Sequence, residues 1–159
     1  MAKLVALVGE TGSGKSHSIQ FLDPKETYIV SVAGKELPFK GSPTLYNRDL
    51  KNYKDVSEIT EVHRLLQTLS DSAPQIKTII LEDGNYLMAF MLVDKATEIG
   101  YSKFSILCQQ MVNLIQSIKK LRSDLTIVYV SHLDEVEDSS EIVSYKMKTL
   151  IFNNGYYAV

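Results

Sequence analysis

Residues 3–16 read KLVALVGETGSGKS. The first six form a short run rich in Val and Leu, closed by Gly9, which is the pattern of a strand buried on both faces of a sheet. From Gly9 onward the segment Gly9-Glu10-Thr11-Gly12-Ser13-Gly14-Lys15-Ser16 satisfies every fixed position of GxxxxGK[ST]. Residues 13–22 then predict a helix that stops before Pro24, since the residue preceding a proline is pushed out of the α region. Strand, glycine loop and helix in that order form an anion nest: the glycines let successive N–H groups turn inward, and the helix N-terminus adds to the positive field. All eight residues from Gly9 to Ser16 are therefore expected to line a phosphate site, with Lys15 as a point charge on the β- and γ-phosphates and the Ser16 hydroxyl on Mg²⁺. A glycine-rich turn matching by chance is the alternative, and the flanking context weighs against it.

Outward from this loop the chain alternates buried strands with helices. Residues 27–33 (TYIVSVA), 77–81 (KTIIL) and 125–130 (LTIVYV) read as three further strands. Residues 35–52, with Pro38, Gly41, Ser42 and Pro43, read as a long surface connection. Ile59, Val62, Leu66 and Leu69 recur at helical spacing after a cap at Asp55 or Ser57, residues 86–97 are helical and apolar, and residues 103–121 carry the widest apolar stripe. Residues 134–141 read as an acidic, solvated loop. Residues 142–159 read as a terminal β-hairpin turning at Asn153-Asn154-Gly155. The fold class expected is α/β, three layers with a mostly parallel central sheet, right-handed crossovers and helices on both faces.

Composition narrows the setting. At 159 residues a single domain over 1–159 is expected. The 17 Lys and Arg against 19 Asp and Glu give a formal charge of −2, so no global positive field draws the monomer onto nucleic acid. Cys108 is the one cysteine and falls in an apolar helical pattern, which fits a packed thiol in a reducing compartment. The apolar run at 4–8 is too short for a signal peptide or a membrane span, so a cytoplasmic protein without membrane contact is expected.

A second constellation follows the third strand, where Thr78-Ile79-Ile80-Leu81-Glu82-Asp83 delivers two carboxylates to the strand's C-terminal edge, the edge at which open α/β sheets bind ligands. One would hold Mg²⁺ and the other would orient or deprotonate the attacking water. Glu82 is assigned to the metal and Asp83 to the water, with the reverse assignment open, and two acids that merely end a strand are the bland alternative. His132, closing the fourth strand as TIVYVSH, is the candidate sensor of the terminal phosphate, although a histidine at a strand end is as often a plain loop residue. His17 and His63 read as structural. Arg122 suits either an arginine finger acting in trans or a cation at a helix C-terminus, and Lys146 and Lys148 suit either phosphate contacts or an edge strand guarded against aggregation.

Taken in order, GETGSGKS, TYIVSVAGKELPFKG, TIILEDGNYLM, the helix opening at GYSKF and IVYVSH resemble bacteriophage-type P-loop ATP-binding proteins of the RecA-like kind, in the AAA/RecA superfamily, some of them implicated in recombination and single-strand annealing. The resemblance implies a RecA-like core of strand order 5-1-4-3-2, with the phosphate-loop strand central. It implies ATP and Mg²⁺ as ligands, and Gly9, Gly14, Lys15, Ser16, Glu82, Asp83 and His132 in the roles given above. It further implies single-stranded DNA, other subunits of a homo-oligomer or phage recombination proteins as partners, in a host bacterial cytoplasm. The catalytic glutamate that such enzymes place after the second strand is offset here, to Glu36. The leading expectation is a Mg²⁺-dependent ATPase, a nucleoside-triphosphate phosphohydrolase acting in DNA recombination, replication or single-strand annealing. A small-molecule kinase is the first rival, weakened by the scarcity of arginine (Arg48, Arg64 and Arg122), and a non-hydrolysing nucleotide switch or scaffold is the second.

Overall fold

Every residue of the segment Thr27–Ser31 is buried, as are the last four of Thr78–Glu82. Strands buried on both faces belong inside a sheet that is covered on both sides. The computed structural model describes residues 1–136 and 144–147, and it places these segments at the centre of such a sheet. In chain order the strands are β1 (Lys3–Gly9), β2 (Thr27–Ser31), β3 (Tyr53–Asp55), β4 (Thr78–Glu82), β5 (Thr126–Val136) and β6 (Ser144–Met147). The helices are α1 (Ser42–Leu45), α2 (Ile59–Ser72), α3 (Tyr86–Asp94) and α4 (Ser102–Ile118), and a 3₁₀ helix spans Ser16–Phe21.

Five strands run parallel in the order β1-β5-β4-β2-β3, and β6 pairs antiparallel with the far end of β5, from Leu133↔Met147 to Val136↔Ser144. Of the expected order 5-1-4-3-2, the described residues show the run 1-4-3-2 as β1-β5-β4-β2 and extend it beyond β2 with β3, while the expected fifth strand lies outside them except for β6. β1 is terminal rather than central among the described residues, because the strand that follows β5 pairs with β5 itself and not with β1. At the opposite end, β3 lies inside what reads from sequence as connection and helix cap. It has three residues, all partly buried, and it forms because β2 leaves a hydrogen-bonding edge open, to which Ile29↔Tyr53 and Ser31↔Asp55 register. The terminal hairpin lies outside the described residues except for β6, as does most of the acidic stretch, whose first residues prolong β5 to Val136.

The pleat sorts the core into two clusters. Tyr28 and Val30, Ile79 and Leu81, and Ile127 point to one face and meet Val62, Leu66 and Leu69 of α2, Leu87 and Met91 of α3, and Leu107, Leu114 and Ile118 of α4. Ile29, Ile80 and Val130 point to the other face and meet Ile19, Leu37, Phe39 and Tyr46. Helices lie on both faces, unequally: α2, α3 and α4 share one, and the 3₁₀ helix with residues 37–46, which include the four-residue α1, covers the other. The sequence 16–21 (SHSIQF) lacks strong helix formers, and the Ser18 hydroxyl donates back to the Lys15 carbonyl at 2.6 Å, so the stretch predicted as an α-helix over 13–22 closes as six residues of 3₁₀ helix before Pro24.

Arg122, the sequence-level candidate for an arginine finger, stands just before β5, at the sheet edge opposite the glycine loop. Its guanidinium donates to the carbonyls of Leu69, Ser70, Ala73 and Ile76, closing the C-terminus of α2 and the turn after it. Among the described residues no helix is long and apolar enough to cross a membrane.

β4 turns into α3 through Gly84, whose N–H donates to the Val130 carbonyl at 2.9 Å, while a Cβ at this position would lie 2.5 Å from Cε2 of the Tyr129 ring. Gly84→Ala is expected to destabilise the fold by about 1–3 kcal/mol, as overpacking against a half-buried ring does. Urea titration followed by circular dichroism measures this, and an unchanged midpoint would show that Tyr129 yields without cost.

Candidate functional site

The parallel order brings the C-terminal ends of β1, β5, β4 and β2 to one edge. The glycine loop rises from β1, and Gly9 registers with His132 on β5. Gly12 and Gly14 adopt φ of +81° and +89°, which side chains with a Cβ rarely tolerate, and the Ser13 N–H closes a turn onto the Glu10 carbonyl at 3.2 Å. The loop is wound around its own lysine. Lys15 Nζ donates to the carbonyls of Gly9 at 2.8 Å and Glu10 at 2.7 Å, with the Ser13 hydroxyl at 3.4 Å, and the residue is only 9% exposed. Because the following helix is a short 3₁₀ segment, the helix-end field expected from sequence is small, and this buried ammonium is the main positive charge of the loop.

Ser16 and Glu82, separated by 66 positions in sequence, meet directly: the Ser16 hydroxyl donates to Glu82 Oε1. Glu82 is 5% exposed, and its Oε2 has no hydrogen-bond partner among the described residues. Burial pushes the Glu82 carboxyl above the ordinary glutamate range. The Ser16 hydrogen bond opposes that shift and the neighbouring Asp83 charge adds to it. A second buried acceptor without a partner, Asn85 Oδ1, follows three residues later. An orphaned carboxylate oxygen beside a serine hydroxyl fits a hard divalent cation. Mg²⁺ is an ion that one or two protein oxygens can hold, with water and phosphate filling the rest of its shell.

Asp83 points elsewhere. Its backbone is left-handed, φ +57°, and that twist turns its carboxylate away from Ser16. Oδ1 lies 3.3 Å from His132 Nε2 and Oδ2 lies 3.3 Å from Lys35 Nζ. His132 Nδ1 in turn lies 3.4 Å from the Thr11 hydroxyl in the glycine loop. One line of side chains thus runs from the end of β2 through β4 and β5 to the loop: Lys35, Asp83, His132, Thr11. Partial burial works against the Lys35 ammonium, yet the hydrogen bond and charge of Asp83 prevail and hold it above the ordinary lysine range. The same ammonium stands 5.0 Å from the centre of the Tyr86 ring, within cation–π range.

The structure therefore gathers Lys15, Ser16, Glu82, Asp83 and His132 with the loop residues, and it separates the two acids by direction. Glu36, where sequence reasoning looked for an acid after the second strand, lines a recess of about 300 Å³ with Arg48, Tyr53 and Asp55 instead. The residue that reaches the carboxylates from that strand end is Lys35, which sequence reasoning missed. Asn85 was missed as well, and its place two positions beyond Asp83 was the available signal. His17, read as structural, has Nδ1 3.3 Å from the Pro38 carbonyl and its ring edge-on to Phe39.

No protein-family model and no curated protein matches this chain. Among solved structures it is similar to the conjugation coupling protein TcpA of pCW3, in its monomer form with ATPγS, at 14% identity and a TM-score of 0.44 over 81% of this chain and 42% of that one. The chain spans less than half the length of that protein. A likeness of this size assigns no activity, and the functional reading rests on the geometry above.

A glutamate whose carboxyl is raised in the folded state favours the fold below the ordinary glutamate range, and that contribution is lost as pH rises through the raised value. Glu82→Gln, with metal chelated, is therefore expected to have a higher Tm than the parent protein at pH 8, and the gap is expected to close towards pH 4. Melting curves at the two pH values test it; a gap independent of pH would mean that Glu82 is not held as a buried anion.

Proposed function

We propose that the protein binds ATP with Mg²⁺ and hydrolyses it to ADP and phosphate. The observation that carries this reading is the direct contact of Ser16 with Glu82, which leaves a buried carboxylate oxygen unpartnered next to a phosphate-loop motif. Ser16 and Glu82 would hold the Mg²⁺, which when bound neutralises charge on the β- and γ-phosphate oxygens. Lys15, already wrapped by the loop, would contribute its charge to the same oxygens.

Asp83 takes the second role. Its two oxygens are oriented by His132 and Lys35, so it is placed to align a water and accept its proton as the water oxygen bonds to the γ-phosphorus and the bridging bond to the β-phosphate breaks. His132 holds Asp83 through Nε2 and faces Thr11 through Nδ1, which suits a group that reports the state of the phosphate loop to the carboxylate. The kinase alternative gains nothing from the arginines: Arg48 pairs with Asp55, Arg64 lies beside Glu61, and Arg122 is consumed at the opposite edge of the sheet. The phage recombination role, single-stranded DNA and partner subunits rest on the sequence resemblance alone.

Lys15→Ala is expected to weaken ATP binding by about 100-fold or more, the equivalent of one or two charge-assisted hydrogen bonds, and to loosen the loop because the Gly9 and Glu10 carbonyls lose their donor. Asp83→Asn is expected to leave ATP binding within a few-fold while lowering turnover by about 10²–10⁴, the usual contribution of a positioned base. Equilibrium binding and phosphate release in Mg²⁺ measure both. A parent protein that binds ATP without releasing phosphate would replace hydrolysis with the non-hydrolysing switch, and normal binding by Lys15→Ala would remove the loop from the site.

A further inference from the structure

We propose that Lys35 is a cation supplied in cis to the terminal phosphate: in the nucleotide-free protein it restrains Asp83, and when a triphosphate arrives it transfers to the γ-phosphoryl oxygens and releases the Asp83 carboxylate for the water. The inference rests on the ATP reading above and deepens it, by assigning to a residue of β2's C-terminal extension the charge that distinguishes a triphosphate from a diphosphate.

Three observations carry it. The first is a shortage of cations. Stabilising the charge that spreads over a transferring phosphoryl group calls for positive groups beyond the loop lysine, and no arginine among the described residues meets Glu82 or Asp83: Arg48 is paired with Asp55, Arg64 lies beside Glu61, and Arg122 serves the C-terminus of α2. Lys35 does reach it, and it meets Asp83 at 3.3 Å.

The second is the freedom of Lys35 to move. Its side chain is 61% exposed and bonds Asp83 through one oxygen only, whereas Asp83 is 10% exposed and fixed on its other side by His132. An ammonium on a long exposed stem, facing a carboxylate that cannot follow it, can exchange that partner for a more highly charged one. The Tyr86 ring lies beside the ammonium and gives it a second favourable surface during the exchange.

The third is where Lys35 enters. Strand order sets the loop on β1, the carboxylates on β4 and Lys35 just after β2, so Lys35 approaches from the side of Glu82 and Asp83 that faces away from the loop. On the ATP reading, with Lys15 and the Ser16–Glu82 metal site taking the β- and γ-phosphates, the phosphate that would lie nearest Asp83 is the terminal one. ADP lacks it, so Lys35 keeps its contact with Asp83 when a diphosphate is bound.

The test compares the full chain with Lys35→Met, which preserves the length of the stem against Tyr86 but removes the charge, and with Lys35→Arg, which restores a charge. Calorimetric titration with Mg·ATPγS and Mg·ADP gives each protein's preference for the triphosphate, and a thermal melt confirms folding. The expected result is that Lys35→Met loses about tenfold or more of that preference, with ADP affinity unchanged, and that Lys35→Arg recovers most of it. Phosphate release by Lys35→Met is expected to fall by about 100-fold, in the range attributed to a single electrostatic donor. A Lys35→Met protein that keeps the parent's preference would overturn the role of Lys35 and leave the ATP reading standing. Failure of the parent protein to bind either nucleotide would overturn the ATP reading, and this inference with it.

Discussion

The contact between Ser16 and Glu82 is the constraint around which the functional edge is organised. It joins the end of the glycine loop to the end of β4 across the intervening β5, so it depends on a strand order that brings the C-terminal ends of β1 and β4 within reach of each other. An order that placed β4 at the far edge of the sheet would leave the motif intact and the two residues apart. The burial that accompanies the contact gives it chemical meaning, since a carboxylate with one oxygen engaged and the other unpartnered in the interior is an unfavourable state that a cation relieves.

The two adjacent acids reach different surroundings through one backbone feature. A regular strand would send Glu82 and Asp83 to opposite faces of the sheet. The left-handed conformation of Asp83 ends the strand instead and keeps both carboxylates at the edge, one towards Ser16 and one towards His132 and Lys35. Strain at such a position persists only where the surroundings over-determine it. Here the Gly84 N–H on Val130 and the close approach of Gly84 to Tyr129 fix the turn that follows. The site is therefore held by packing and by charge together, and it leaves Glu82 Oε2 and Asn85 Oδ1 without partners among the described residues.

How legible each part was depends on whether its cause is local. The apolar runs of β2, β4 and β5 and the spacing of Ile59, Val62, Leu66 and Leu69 are patterns of neighbouring residues, and they were readable as elements. The turn of the glycine loop was readable because its glycines and lysine lie within eight positions of one another. β3 was not, because a three-residue strand with one aromatic side chain carries no period and forms only against the open edge of β2. The 3₁₀ helix was misread as α because its start signal was sound while its composition was poor in helix formers, so the motif's usual context outweighed the residues in hand. Lys35 was passed over for Glu36 because the search was for an acid at that strand end, and nothing local distinguishes a lysine aimed at a carboxylate forty-eight residues away from one in solvent.

The order of residues alone determined an α/β chain with a glycine loop of the GxxxxGK[ST] pattern after its first strand, a paired acidic edge at Glu82 and Asp83, and a polar strand end at His132, since each is written in side-chain type and short-range spacing. Only the tertiary structure decided that β1 stands at the end of the parallel run among the described residues, that the long helices share one face, that Glu82 takes Ser16 while Asp83 takes His132 and Lys35, and that Arg122 serves α2. The reason is physical: periodicity and turn chemistry act over a few residues, whereas strand order and the partners of buried charges are set by which hydrogen-bonding edges and which desolvated groups meet once the sheet has assembled.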